Sequence, residues 1–255
     1  FSIELDGDPI PSGFGFYVSG NNGINWLFKD FPLDDDPPDN CDDEAIPYTG
    51  ECDIEYNYGG TSYFRIRNTV RQQSPPFDIQ IQDNYIFTAA FGSGLLRSSN
   101  SGNSWEKVIL PPSNVSILTP EQDYFWTSNY NGQTINRFDV RSDLNLRGFG
   151  LHIDSNNQVW YGSANGINIS PDALSAPTDS ISWKHINFNN SSNGLLGDWV
   201  IEIEEDPTTN TIWMTNWVID GQRGEKFGIV STSDNGETFE QHLIGEKINS
   251  IGFKD

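Results

Sequence analysis

The sequence predicts an all-β fold assembled from repeated antiparallel sheets, and three observations predict it. A turn of the form hydroxyl, x, Asp or Asn, x, Gly, x, polar, aromatic recurs along the chain, once in interrupted form. Each copy follows the same order of strand, turn and strand, which is the signature of a repeat architecture. No stretch sustains the apolar period of a helix, whereas period-two alternation returns from end to end. With 24 Gly and 14 Pro for turns and eight Trp and sixteen Phe for a core, 255 residues suffice for one large unit, read as a single domain over 1–255.

Taken in order, residues 1–5 alternate as a strand and Asp6-Gly7-Asp8-Pro9 turns it. Residues 13–18 form a second strand running into the first copy, with Ser19, Asn21, Gly23 and Trp26 at its key positions. Residues 30–60 break the pattern with a dense acidic, proline-containing run that cannot pack as a core strand and reads as an exposed insertion. Its oxygen density marks Asp34, Asp36, Asp39 and Asp42 as candidate calcium ligands, without EF-hand spacing; the alternative is a solvated acidic loop. Cys41 and Cys52 lie close enough in sequence for a disulfide to close this loop in an oxidising compartment.

Residues 63–66, 77–81, 85–90 and 95–97 read as strands and lead to the second copy, Ser98, Asn100, Gly102 and Trp105. Residues 124–127 and 134–138 make a hairpin without a copy. Strands at 149–153, 158–162 and 167–169 then lead to a copy split by an insertion, with Ser170 and Asp172 at its head and Trp183 at its tail. Strands at 199–203, 211–215 and 228–230 precede the fullest copy, Thr232, Asp234, Gly236, Thr238 and Phe239. Residues 248–253 read as the first strand of a further sheet. Either they pair with the N-terminal strands and close a ring, or the chain is part of a larger ring.

Each position of the copy has a mechanical reason. Gly23, Gly102 and Gly236 supply positive φ for a tight turn. The Asp or Asn folds its side-chain oxygen onto loop N–H groups, the Ser or Thr hydroxyls satisfy others, and the terminal ring anchors the turn by burial. None of these roles requires a substrate.

These residues resemble the Asp-box, or BNR repeat, of sialidase-like and sortilin-like propellers, over nearly the whole chain except about residues 30–75. The resemblance implies a β-propeller of four-stranded antiparallel blades, about four to six of them, whole or part of a larger one. The flanking strands look like those of secreted bacterial Asp-box proteins of unassigned role. In that family the box lies at the outer rim of a blade, so the copies mark the fold rather than an active site.

The family also implies two enzymatic alternatives. Phe64-Arg65-Ile66-Arg67 resembles the sialidase Phe/Tyr-Arg-Ile-Pro signature, with Arg67 where Pro belongs, but one box already lies upstream and the eight arginines yield no evident triad. A glycanase of the same fold needs two carboxylates across a cleft, and 36 Asp and Glu place candidate pairs everywhere, so no catalytic residue is assigned. Trp126, Trp213 and Trp217 either stack on sugars or pack in the core. His152, His185 and His242 lack zinc-site spacing, and His152 reads as a satisfied structural histidine. Phosphate-loop, dinucleotide and nucleophile-elbow motifs are absent.

A net charge of -22 and a pI near 4.2 repel phosphate backbones and suit cationic partners. No apolar run approaches a membrane span. The reading is therefore a non-enzymatic, extracellular or cell-surface scaffold or binding module with a protein or glycan partner, no nucleic acid, no membrane insertion and no cofactor beyond calcium. The alternative is a glycoside hydrolase, for which two carboxylates must meet on the axial face.

Overall fold

Short alternating runs, each closed by a Gly, Asn or Asp turn, leave antiparallel pairing as the way to satisfy the backbone. The computed structural model describes residues 2–5, 8–39, 41, 52–72, 74–130, 132–189, 194–219 and 221–254. Among these, the regular structure is β apart from two 3-10 turns, Leu144–Leu146 and Gly221–Arg223. The strands run β1 (Ser2–Leu5), β2 (Asp8–Pro11), β3 (Gly15–Val18), β4 (Leu27–Asp30), β5 (Ile54–Tyr58), β6 (Thr61–Arg65), β7 (Pro76–Gln82), β8 (Tyr85–Ala90), β9 (Gly94–Ser98) and β10 (Glu106–Lys107). They continue as β11 (Ile117–Leu118), β12 (Thr127–Tyr130), β13 (Gln133–Asn136), β14 (Gly148–Ile153), β15 (Val159–Ser163), β16 (Gly166–Ser170), β17 (Trp183–Ile186), β18 (Trp199–Glu205), β19 (Ile212–Trp217), β20 (Gly228–Thr232) and β21 (Glu240–His242).

Three sheets are full meanders: β7 to β10, β14 to β17 with β11 added beyond β17, and β18 to β21. Their first strands lie against one another, β14 touching both β7 and β18. This is the propeller arrangement: four-stranded antiparallel blades whose inner strands gather round an axis. β3 and β4 form half of a further blade on the far side of β7–β10, where Phe16 and Phe31 pack with Ala90 and Leu96.

Each inner strand carries one extra residue relative to its second strand. The register slips between Pro76 and Asp78, between Gly148 and Leu151, and between Val200 and Ile203. These bulges bend the strand and re-aim side chains toward the axis. At the middle one Gly150 lets β18 come close: a Cβ there would meet Ile201 O at 3.0 Å and Glu202 Cα at 3.1 Å.

Two hairpins, β5–β6 and β12–β13, insert between the first two full blades. They are stitched in parallel by Phe138 N donating to Phe64 O (2.9 Å) and Ile66 N to Phe138 O (3.1 Å). Their Tyr58, Tyr63, Trp126 and Phe138 share one core with Phe87, Leu95, Leu151, Tyr161 and Trp183. A second core joins Trp160, Ile167 and Ile186 to Val200, Ile203, Met214 and Phe239. Burying a large apolar side chain contributes roughly 1.5–3 kcal/mol, so these inter-blade seams carry the stability. Two of the buried tryptophans keep their N–H groups bonded: Trp126 Nε1 donates to Leu110 O and Trp160 Nε1 to Asp154 Oδ2, each at 2.9 Å.

Residues 248–253 depart from expectation. They form no strand, and residues 2–5 pair instead with 8–11. The segment lies irregularly along the last blade, where Ile248 O accepts from Trp217 Nε1 and Phe253 sits 6.3 Å from Trp213. Trp126 is likewise core rather than a sugar platform, while Trp213 and Trp217 are half-buried.

Candidate functional site

The four turns share one hydrogen-bond plan. Ser19 Oγ accepts from Gly23 N (2.8 Å), Ser98 Oγ from Gly102 N (2.9 Å) and Thr232 Oγ1 from Gly236 N (3.0 Å). The hydroxyl donates to the Asn or Asp beside it, and that oxygen accepts from the backbone four residues on: Asn21 from Asn25, Asn100 from Ser104, Asp234 from Thr238. In the split copy Ser170 Oγ accepts from Ala173 N and Asp172 Oδ1 reaches across the insertion to Ser182 N at 3.0 Å. The turn needs two successive positive φ values, at Asn22, Ser101 and Asn235 as well as at the glycines. All the turns sit between third and fourth strands, away from the inner ones. Trp183 and Phe239 are buried and Trp105 stacks on Phe16 at 5.5 Å, but Trp26 is 61 % exposed, against the expectation of burial, because no sheet among the described residues covers its ring.

Asp234 is held at about 2 by bonds from the Thr238 hydroxyl and N–H. A carboxylate lowered on folding contributes stability above its ordinary value of 3.8 that is lost as pH falls toward 2. Asp234→Asn keeps an acceptor like those of Asn21 and Asn100. It is expected to leave stability at pH 7 within about 1 kcal/mol and to flatten the acid limb of a denaturation-versus-pH profile below pH ~4.

The acidic insertion is clamped to the β5–β6 hairpin. Asp34 takes a two-pronged bond from Arg65 (2.6 and 2.7 Å) and accepts from Asn68 N, so both of its oxygens are engaged within the chain. Arg67 donates to Cys52 O and Asp35 O, which spends both arginines of the sialidase-like tetrapeptide on structure. Cys41 and Cys52 form a disulfide. Asp36 and Asp39 are described; Asp42 lies outside the described residues. Among the described residues no group of three or more His, Cys, Asp and Glu is set to hold a metal ion, and no helix is long and apolar enough to cross a membrane.

The inner strands bring together a group that sequence reasoning missed: Asp78 from β7, His152 from β14, and Glu202 and Glu204 from β18. Asp78 Oδ2 accepts from Leu151 N on the neighbouring inner strand (2.7 Å), and Oδ1 accepts from Ile79 N. The carboxylate thus covers a backbone donor that β14 does not use for pairing. Burial raises the Asp78 carboxyl, against those two N–H groups, and the Glu204 charge adds to the rise. Glu202 lies beside it and is pushed from 4.5 to about 7, first by burial and then by the charges of Asp78 and Glu204. His152 lies 3.9 Å from Glu204 and 3.8 Å from Glu205, beyond hydrogen-bond reach, and neither ring nitrogen has a bonded partner. It is not the satisfied histidine expected. Glu205 is committed elsewhere, to Ser155 N and Oγ.

Next to the carboxylates the bulged ends of the inner strands carry rings. Phe77 packs at 5.4 Å and Trp199 at 5.0 Å against Phe149, and Phe91 joins them under the Arg147 guanidinium. The result is an acidic strip of Asp78, Glu202 and Glu204 beside an aromatic cluster, with no Lys or Arg ion pair to Glu202 or Glu204 among the described residues. Such a strip can draw in a cationic group, or it can hold one proton between neighbouring carboxylates. The legible signal was Glu202-Ile203-Glu204-Glu205, charges placed inside an otherwise apolar inner strand.

No family model matches the chain, and no curated protein matches it. Among solved structures, an ancestral GH74 enzyme is similar at 15% identity over 94% of this chain and 30% of its own, with a TM-score of 0.44. The extracellular domain of the hybrid two-component system BT4673 from B. thetaiotaomicron is similar at 15% identity over 91% of this chain and 33% of its own, TM-score 0.30. YCF48 bound to D1 peptide is similar at 16% identity over 77% of this chain and 62% of its own, TM-score 0.28. The chain spans about a third of the length of the first two.

Proposed function

We propose that this chain is an extracellular or cell-surface Asp-box propeller that acts as a binding module, and that its ligand-contacting surface is the inner-strand strip of Asp78, Glu202 and Glu204. The observation that carries the reading is the acidity of Glu202 and Glu204, which have no Lys or Arg pair among the described residues, beside the Phe77–Trp199 cluster. A basic side chain of a protein partner is the ligand that both features favour, through charge and through cation–π contact. The disulfide supports an oxidising compartment.

The test is titration calorimetry with a lysine-rich peptide between pH 6 and 8. Affinity is expected to rise several-fold as Glu202 loses its proton near pH 7. Glu202→Gln is expected to weaken binding and to abolish that pH dependence, and binding that ignores both changes rules the surface out. The same carboxyl gives a stability signature of the opposite sense. Because folding raises it, its contribution is complete below 4.5 and fades as pH rises through about 7, so Glu202→Gln gains on the parent chain in denaturation at pH 8.

One observation favours glycoside hydrolysis as a second reading. A Glu held near neutrality beside ionised neighbours is the pattern of a general acid paired with a base or nucleophile. Glu202 and Glu204 stand two residues apart on β18, a backbone spacing of about 6.6 Å by strand rise. In that case Glu202→Gln and Glu204→Gln each abolish release of reducing ends from a β-glucan panel; an inactive parent chain sinks the hydrolase.

A further inference from the structure

The repeated turns impose a chemical hazard on the chain. The residue before each turn glycine stands in the left-handed region, with φ 55° at Asn22, 58° at Ser101 and 57° at Asn235. Among residues that carry a Cβ, Asn is one of the few that enter this region readily. Glycine must follow it: Gly236 has φ 71°, and a Cβ there would press on Ile186 and Ile169 at 2.9 and 3.0 Å. The fold thereby places Asn–Gly at two of its turns, Asn22–Gly23 and Asn235–Gly236. Asn is thermolabile, and glycine has no side chain to shield the carboxamide before it. The glycine nitrogen attacks Asn Cγ, so that the N–Cγ bond forms and the Cγ–Nδ2 bond breaks. The glycine N–H proton passes to solvent base, and ammonia leaves with a proton from water. A second step adds water to the succinimide and yields Asp or isoaspartate.

Both turns hold the reacting groups apart. Gly236 N donates to Thr232 Oγ1 (3.0 Å) and Gly23 N to Ser19 Oγ (2.8 Å). In the left-handed region ψ is about 47°, which sets the next nitrogen trans to Cβ, on the far side from the carboxamide. The ring cannot close until the turn opens. At Asn235 the neighbouring blade adds its own hold. Gln158 Nε2 donates to Asn235 Oδ1 (3.1 Å), and Lys184 Nζ donates to Asn235 O (3.3 Å) and to Glu237 Oε1 (2.6 Å). Ser101 answers the hazard differently, keeping the same φ with no carboxamide to react.

We propose that the turn hydroxyls have a second role besides shape: Thr232 and Ser19 guard Asn235 and Asn22 against deamidation, and these asparagines are modification sites that react only when their turn opens. Isoaspartate at position 235 adds a methylene to the backbone between Asp234 and Gly236. The spacing that lets Thr232 and Asp234 reach the N–H groups of Gly236 and Thr238 is then lost, so one event releases the turn for good. The guard is separate from the inner-strand strip.

Peptide mapping by mass spectrometry, which separates Asn, Asp and isoaspartate forms, reads the loss of each Asn while the whole chain is incubated at pH 8. In the folded parent, Asn235 is expected to persist at least about tenfold longer than in the same chain unfolded in guanidinium chloride. Thr232→Val removes the acceptor of Gly236 N and is expected to speed loss at Asn235 about two- to tenfold, the factor that one hydrogen bond contributes. Thr232→Ser keeps the parent's rate. Asn165–Gly166 serves as the reference in the same sample, because Gly166 N donates to Asp198 O (2.6 Å) at the β15–β16 hairpin, away from the turns. Its rate is expected to stay unchanged in Thr232→Val. Ser19→Ala, in an exposed turn whose loss cannot unfold the core, is expected to speed loss at Asn22 by the same factor. Parent loss at the unfolded rate, variants as slow as the parent, or equal acceleration at Asn165 and Asn235 each overturn the proposal.

Discussion

Trp183→Ala is expected to destabilise the chain by about 3–5 kcal/mol, whereas Trp26→Ala at the same place in its turn costs less than about 0.5 kcal/mol. Trp183 is 1 % exposed, and its removal opens a cavity in the core it shares with Phe87, Leu95 and Tyr161. Trp26, at 61 % exposure, packs into no such seam among the described residues. Denaturant unfolding followed by circular dichroism checks both. Equal losses at the two positions would mean that the turn itself, rather than the junction, needs the ring.

Asp139→Ala is expected to cost about 3–5 kcal/mol as well, for an electrostatic reason. The side chain is 1 % exposed and accepts from Arg137 Nη2 at 3.0 Å, from Arg141 Nε and Nη2 at 3.1 Å, and from Arg141 N at 2.9 Å. Burial works to raise its carboxyl, and the hydrogen bonds and charge of Arg141, with Arg137, outweigh that and leave it lowered. Without it, the buried Arg137 guanidinium loses this partner while keeping Asp53 at 3.6 Å. Because folding lowers the Asp139 carboxyl, its contribution is present at neutral pH and lost on acidification below the ordinary carboxylate range. The variant therefore differs most from the parent at pH 7 and least near pH 3. A loss below about 1 kcal/mol at pH 7 shows that the guanidinium has found water instead.

Local chemistry made the blade rims legible, and its absence hid the axis. Gly23, Gly102 and Gly236, with the Asn or Asp before them, are local requirements and stand in the sequence at fixed spacing. The middle strands of the full blades are buried on both faces and so read as short, nearly continuous apolar runs between those turns. Asp78, His152, Glu202 and Glu204 come from three strands far apart in sequence and meet through blade packing, which no local period encodes. Trp26 misled for a similar reason: its residue type is right for a seam, and the seam depends on a sheet outside its own turn. Residues 248–253 have strand composition, yet they pair with no strand among the described residues and lie against Trp213 and Trp217.

The repeated slip in β7, β14 and β18 also separates two kinds of constraint. Above and below it, ladder partners and seam packing hold every residue to one side of its blade. At the slip itself, residues 77, 149–150 and 201–202 have no one-to-one partner on the second strand. Residue choice there answers to the neighbouring inner strand instead of to the second strand of the same blade, as Gly150 answers to Ile201 and Glu202. A protein of repeated blades therefore carries a band of positions at one height of its axis whose identities are set between blades rather than within them.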